Sequence, residues 1–515
     1  MPEYSTSEKL AKTGKVEAIS DGICQISGLP GVGINMIVSF SSGCRGLVID
    51  FSEEYCHTIV IGDFTTIKRG DFVEIANEEL TIPAGDILLG RIINPLGEPL
   101  DSMGQIKSQS FVGLENEAKS VFEREAIDTQ LQTGFLLIDS QIPIGRGQRE
   151  LLIGEKRIGK EDTTVAIMLN QKLDKTGVIT IYVTIGAQTS FIKRAVEKLN
   201  QTKANKNTVF VVGDASDPAS LNYLSPLVGM SIAEEFAARG KDVLIIFDNL
   251  TRHARIYRQI SLLLKRAPGR EAYPGDIFYL HSRLLERAGK FSNQVGGGSI
   301  TALPLVETIS DDITDYITTN LMSITDGHIL FTKALYHQGR RPAISTELSV
   351  SRIGGKAQIK LFRDLSNDLK LIIGQYAELE SLTSFGTELQ AETLKIIERG
   401  RRIFAFLNQE QDYNFNLAEQ CFLVYFLLSE ELFDWPTEAM DVLRKNFLDF
   451  VAVSEIAKQL ESTLKIEDGS HTSCYNKLIE EFTKRPETVR PINQEKNLAE
   501  NETVHEVIAK MDQRA

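Results

Sequence analysis

The segment from Pro143 to Thr164, PIGRGQRELLIGEKRIGKEDTT, governs how the rest of the chain is read. Arg149 to Ile153 is a short apolar run of the kind a buried strand requires. Gly154-Glu-Lys-Arg-Ile-Gly159-Lys160 follows directly, and Thr163 to Leu173 continues with helical spacing. Strand, GxxxxGK and helix in this order are the context of a phosphate-binding loop. Glycines let backbone N–H groups curl around phosphate oxygens, the helix N-terminus adds the positive end of its dipole, and Lys160 reaches the outer phosphates. Arg157 lies inside the loop. One position departs from the pattern: Glu161 stands where a Ser or Thr hydroxyl would ligate magnesium, and Asp162 follows it. A carboxylate a few ångströms from a triphosphate repels it by roughly several kcal/mol where solvation is poor. The loop is therefore expected to bind nucleotide weakly or in an unusual way. A plain glycine turn between strand and helix would show the same local pattern, so the remaining sequence has to decide.

A length of 515 residues exceeds one hydrophobic core, and two to three domains are expected. The 42% hydrophobic and 24% charged residues are those of an ordinary globular protein. A formal net charge of −14 repels a phosphate backbone and argues against nucleic-acid binding. Cys24, Cys44, Cys56, Cys421 and Cys474 show neither paired nor metal-type spacing and read as reduced cytoplasmic thiols. The polar N-terminus lacks the apolar segment of a signal peptide, and runs such as Phe422–Leu428 are too short to span a bilayer. Any place on the inner face of the cell membrane would then come through partners.

Residues 1–72 read as a β-barrel or sandwich. Strands are expected at Val16–Ile19, Ile23–Ile26, Met36–Ser39, Gly46–Phe51 and Thr58–Ile61, punctuated by Asp21-Gly22, Gly28 and Pro30-Gly31. Within 73–355, β-like runs alternate with helical ones: Val178–Val183 with Phe191–Leu199, Thr208–Val212 with Tyr223–Gly240, and Val243–Phe247 with His253–Arg266. That alternation predicts a parallel α/β domain. Residues 356–485 lose the strand signal, and Ile359–Gln375, Thr387–Leu407 and Leu417–Leu428 predict an all-helical domain. Residues 486–515 form a polar tail with a weak pattern at Val504–Met511. Asp242-Val-Leu-Ile-Ile-Phe-Asp248 ends a buried strand in a carboxylate, which places Asp248 where it can hold magnesium or its water shell.

These segments carry a resemblance. PIGRGQRELLIG, FDNLTRHARIYRQISLLLKRAPGREAYPGDIFYLHSRLLERAGKF, GGGSITALP, SITDGHI, RPAISTELSVSRIGGKAQ, YAELESLTSFGTELQ and RGRRIFAFL resemble the alpha subunit of the F1 part of F-type ATP synthases, over about nine-tenths of the sequence. The resemblance implies a β-barrel crown, a RecA-like nucleotide domain and a C-terminal helical domain, in agreement with the divisions above. It implies three alpha-type subunits alternating with three catalytic beta-type subunits around a central gamma-type shaft. It implies further that Arg352, in Leu348-Ser-Val-Ser-Arg352, enters the neighbouring beta-type site, and that Ser323 faces the same interface. A planar, permanently charged guanidinium suits charge developing on a γ-phosphate. Gly154, Gly159, Lys160 and Asp248 match the ATP or ADP site of the alpha subunit itself.

Departures matter as much as matches. Glu161 puts Mg2+ binding in question. Ala187, in Ile185-Gly-Ala-Gln188, stands where alpha subunits carry Gln and catalytic subunits carry the Glu that positions water, so this subunit's own site is expected to be non-catalytic. Ser345 replaces the usual Asn, Asp or His with no evident consequence. Only about a dozen polar residues precede Gly14, so a conventional peripheral stalk is not expected, and the stalk or membrane partner is unknown. Together these losses are most similar to divergent F1-like ATPases of mollicutes. The expected function is an alpha-type subunit of a rotary ATPase that supplies an arginine finger. The alternatives are a conventional proton-coupled ATP synthase subunit and a nucleotide-free structural subunit of a motility or transport motor. A helicase or termination factor on the same core is disfavoured by the acidic surface.

Overall fold

The computed structural model describes residues 13–484, apart from 35, 77–79, 115, 172–176, 203, 384–390, 411–413, 430–434 and 464–470. The expectations for Val504–Met511, for the tail from 486, for the dozen N-terminal residues and for the first turn of Thr387–Leu407 fall wholly or partly outside these residues.

Six strands close an antiparallel barrel: β1 (Thr13–Ser20), β2 (Ile23–Ser27), β3 (Ile37–Phe40), β4 (Arg45–Phe51), β5 (Tyr55–Ile61) and β6 (Phe72–Ile75), in the order β1-β2-β5-β4-β3-β6. Alternate residues such as Val16, Cys24, Ile26, Val38, Val48 and Val60 point inward and fill the interior. Closure leaves no open strand edge. Tight turns at Asp21-Gly22, where both residues have positive φ, make the first hairpin possible.

The central domain is built on one sheet. Its strands are β7 (Ile92–Ile93), β8 (Glu150–Gly154), β9 (Ile179–Ala187), β10 (Thr208–Asp214), β11 (Asp242–Asp248), β12 (Ser299–Glu307), β13 (Gly327–Leu330) and β14 (Val350–Ser351). They run in the order β14-β13-β8-β12-β11-β9-β10-β7. These eight are parallel except the edge strand β14, which is antiparallel to β13; a ninth, two-residue strand, Gly289–Lys290, pairs antiparallel with β12. The strands read as continuous apolar runs because both faces are buried. Leu152, Tyr182, Leu244, Ile246 and Leu303 join one core, and Leu151, Ile153, Ile181, Ile245 and Phe247 join the other. Around the sheet lie α1 (Lys160–Gln171), α2 (Thr189–Thr202), α3 (Ala219–Ala238), α4 (Leu250–Leu263) and α5 (Tyr316–Ile324).

The last helices are α6 (Lys360–Thr383), α7 (Ala391–Leu407), α8 (Leu417–Leu428), α9 (Met440–Val453), α10 (Glu455–Thr463) and α11 (His471–Thr483). Their shared core is aromatic: Phe426 stacks on Phe447 with ring centroids 4.7 Å apart, and Phe482 meets both edge-on. This core is continuous with the face of the sheet that carries Leu152 and Leu303. One polar link reinforces it, since Gln420 Nε2 in α8 donates to the buried Asp139 carboxylate at 2.7 Å. No helix among the described residues is long and apolar enough to cross a membrane.

Candidate functional site

The loop after β8 turns through Arg157 (φ 62°) and Gly159 (φ 88°) before α1 begins at Lys160. Positive φ at Gly159 costs nothing, whereas Arg157 holds a conformation that side chains seldom adopt. The helix starts three residues earlier than the apolar pattern predicts. Glu161 and Asp162 occupy its first turn, where acids are favoured by the helix dipole. The same carboxylates compete with any phosphate for that end of the helix.

Lys160 is fully buried. Its ammonium donates to Gly154 O at 2.8 Å and Val306 O at 2.7 Å, and lies 4.0 Å from Glu161 Oε1. Burial pulls the ammonium below its ordinary range, against the opposing charges of Glu161, Glu307 and Asp248. Burial raises the Glu161 carboxyl, and Lys160 opposes the rise. Asp248, at the end of β11, is buried, accepts from Tyr182 Oη at 3.0 Å through Oδ2, and has no hydrogen-bond partner for Oδ1 among the described residues. Burial raises its carboxyl too, opposed first by Arg252. The peptide bond that follows it, Asp248–Asn249, is cis.

Sequence reading missed one member of this pocket. Glu307 ends β12 as Asp248 ends β11, and accepts from Asn249 Nδ2 at 2.7 Å and Arg252 Nη2 at 2.8 Å; Lys156 Nζ lies 3.3 Å from its other oxygen. Burial alone would raise this carboxyl, yet Arg252, Lys156 and Lys160 hold it below the usual range. An acid closing the apolar run Ser299–Glu307 was the available signal. The pocket therefore sets Lys156, Lys160 and Arg252 against Glu161, Asp248 and Glu307, a balance with no spare positive charge.

The loop makes its turn through two positive-φ residues ahead of the helix N-terminus, and Asp248 Oδ1 has no hydrogen-bond partner among the described residues. The hydroxyl ligand is replaced by a carboxylate, however. Among the described residues no group of three or more His, Cys, Asp or Glu is arranged to hold a metal ion. Ala187 is buried at the end of β9 and offers no group to activate water.

Arg352 and Ser323 lie elsewhere. Arg352 directly follows the edge strand β14, and its backbone N–H donates to Asp326 O at 3.2 Å. Asp326 in turn pairs with Arg149, Nη2 to Oδ1 at 2.8 Å and Nε to Oδ2 at 3.1 Å. Ser323 is exposed near the end of α5 and donates to Thr319 O at 2.9 Å. Arg352 thus lies at the sheet edge, level with Arg149, while Ser323 sits on α5, three residues before Asp326. Arg149 and Gly154 are five residues apart along the strand, about 16 Å at the usual rise. The Arg352 side chain is exposed and makes no hydrogen bond or ion pair among the described residues. It cannot reach the phosphate loop of its own subunit.

A cavity of about 910 Å3 lies between the barrel and the central domain, against Ile49, Tyr257, Ile260 and Arg266. Neither Lys160, Asp248 nor Arg352 lines it, so it is not this site.

Comparison with known proteins agrees with the architecture. Residues 134–351 match the model of the ATP synthase alpha/beta family nucleotide-binding domain, residues 10–76 that of the family's beta-barrel domain, and residues 358–482 that of the C-terminal domain of its alpha and beta subunits. The ATP synthase subunit alpha of Syntrophomonas wolfei is 40% identical over 482 residues, which span 93% of the present sequence and 95% of that protein. The chain belongs to the ATP synthase alpha/beta family and, within it, to the alpha type.

Proposed function

We propose that this protein is a non-catalytic, alpha-type subunit of an F1-like rotary ATPase, and that Arg352 acts as an arginine finger in the catalytic site of a neighbouring beta-type subunit. The observation that carries this reading is the position of Arg352. Its backbone is anchored to Asp326, its guanidinium is exposed and unpaired among the described residues, and about 16 Å of strand separates it from its own loop. An arginine so placed serves a partner or nothing. In an alternating hexamer of three alpha-type and three beta-type subunits around a central shaft, the finger would neutralise charge as the γ-phosphate transfers.

The subunit's own pocket supports a non-catalytic role. Ala187 has no base to offer, and the buried Glu307 is held ionised by Arg252 and Lys156 rather than directed at a water. Gly154, Arg157, Gly159 and Lys160 would cradle the phosphates of ATP or ADP, and Asp248 would hold the water shell of Mg2+. Glu161 and Asp162 oppose both. Association with the inner face of the membrane would run through partners, and divergence of the kind known in mollicutes fits the altered loop.

A conventional proton-coupled ATP synthase subunit is the second reading, favoured by the 40% identity to a protein of that name. It shares the finger and differs in what the shaft drives. A purely structural subunit has no use for Arg352. The test is Arg352→Ala in the assembled complex. ATP hydrolysis should fall about 1,000-fold or more with the hexamer intact, the scale on which arginine fingers act. Near-normal turnover would overturn the assignment.

A further inference from the structure

Beyond Glu307 and Thr308 the chain turns sharply at Ile309-Ser-Asp-Asp312. Asp312 N donates to Ile309 O at 3.1 Å, and both central residues are left-handed, Ser310 with φ 56° and Asp311 with φ 54°. Asn-Gly is the pair that such a turn favours, because residues other than Gly, Asn and Asp are strained there. Ser310 is therefore held in a costly conformation. The segment carries a second local cost, since Thr308 Oγ1 and Asp311 Oδ1 are buried without a hydrogen-bond partner among the described residues. A stretch with these features keeps its shape only where its surroundings hold it.

The phosphate loop is what holds it. Asp311 N donates at 3.2 Å to Oε1 of Glu155, the loop residue that follows Gly154. Lys333, which opens the short helix Lys333–His337 beyond β13, donates its backbone N–H to Asp311 Oδ2 at 3.2 Å, and its ammonium lies 3.6 Å from Glu155 Oε2. At the root of the same two segments, Thr308 N donates to Gly154 O at 3.2 Å, and the Lys160 ammonium bridges Gly154 O and Val306 O. Loop and turn thus form one closed unit, and the ammonium that a phosphate requires is part of it. Drawing Lys160 out to a phosphate breaks the bridge at the root and leaves the strained turn held by fewer contacts.

We propose that residues 308–312 are an autoinhibitory strap: latched by Glu155, they hold the phosphate loop closed, and nucleotide binding releases them. The inference rests on the reading above that this loop takes ATP or ADP, and it adds what regulates the site. Repulsion by Glu161 and the strap are separate obstacles, the first acting on the bound phosphate and the second on the loop before anything binds.

The test is stopped-flow binding of a fluorescent ATP analogue, with Mg2+, to the purified full-length subunit. Ser310→Gly changes no charge and relaxes the turn, so the closed strap gains about five- to tenfold over the open one and affinity should fall by that factor. Glu155→Ala removes the acceptor for Asp311 N, whereas Glu155→Gln keeps an amide oxygen in its place, and both lose the same charge. Glu155→Ala should therefore bind about threefold or more tighter than Glu155→Gln, the scale of one hydrogen bond; equal affinities would mean that charge alone is at work and would overturn the strap. Hydrogen exchange supplies a second readout. Saturating nucleotide should speed exchange of the Asp311 amide, although a bound ligand ordinarily protects the loops around it. Unchanged or tighter binding by Ser310→Gly, or unchanged or slower exchange at Asp311, would overturn the proposal. Binding absent from wild type and every variant would instead refute the nucleotide reading beneath it.

Discussion

Replacing Glu161 by threonine restores the hydroxyl that a phosphate loop ordinarily carries and removes one negative charge from the mouth of the pocket. The Glu161 side chain is 19% exposed and sits 4.0 Å from the Lys160 ammonium, so part of its charge is already neutralised. Two unit charges 4 Å apart interact by about 4 kcal/mol at an effective dielectric near 20. Lys160 and the raised carboxyl offset about half of the repulsion felt by a phosphate, which leaves about 2 kcal/mol, or roughly thirtyfold in affinity. Glu161→Thr should therefore tighten MgATP binding by about that factor, read by calorimetric titration of the purified subunit after circular dichroism has shown it folded. Glu161→Gln separates the two contributions. If repulsion dominates, it should recover most of the gain without supplying a hydroxyl. Wild-type affinity in both variants would refute the electrostatic reasoning and mean that phosphates approach the loop along another path.

Three further outcomes are expected. Lys160→Ala should lower steady-state hydrolysis of the assembled complex less than about threefold, because its ammonium is tied to Gly154 O and Val306 O in a pocket without a catalytic base; complete loss of turnover would contradict that. Arg287→Ala should cost about 3–5 kcal/mol in denaturant unfolding, since the buried guanidinium pairs with Glu234 at 2.7 Å and its loss strands that acid; a change below about 1 kcal/mol would show the pair to be replaceable. Asp139, buried under α8, has its carboxyl pushed up to about 6 by burial, against donors from Gln420, Thr133 and Gly134. The folded state then holds a proton that the unfolded state releases near 4, so stability falls as pH rises from about 4 to 6 and is level above. That difference of about two pKa units amounts to roughly 3 kcal/mol. A pH series of melting curves should show the fall in wild type but not in Asp139→Asn, and parallel curves would refute it.

Much of this molecule is legible in its sequence because local patterns carry it. The run Leu417–Leu428 reads as a helix, and α8 spans those residues with Asn416 and Glu419 forming a capping box. The barrel strands follow their alternation and their glycine turns. The continuous apolar runs predict a two-sided sheet, although the order β14-β13-β8-β12-β11-β9-β10-β7 is set by parallel partners far apart in sequence, which no local pattern encodes.

The two halves of the site differ in the same way. Gly154, Gly159 and Lys160 announce themselves by spacing, and Asp248 by ending a strand. Glu307 carried that second signal unnoticed, because its partner Arg252 lies 55 residues away. Arg352 is one arginine among many in the sequence. Family resemblance alone singles it out, and the structure adds its exposure, its anchor on Asp326 and its distance from Lys160.

The most direct measurement is a cryo-EM structure of the complex assembled with its native partners and trapped with MgADP and fluoroaluminate. The expected result is the Arg352 guanidinium within hydrogen-bond reach of the phosphate mimic in a neighbouring subunit's site. Density showing Arg352 folded back on its own subunit in every occupied state, or facing solvent with another residue on the phosphate mimic, would contradict the account.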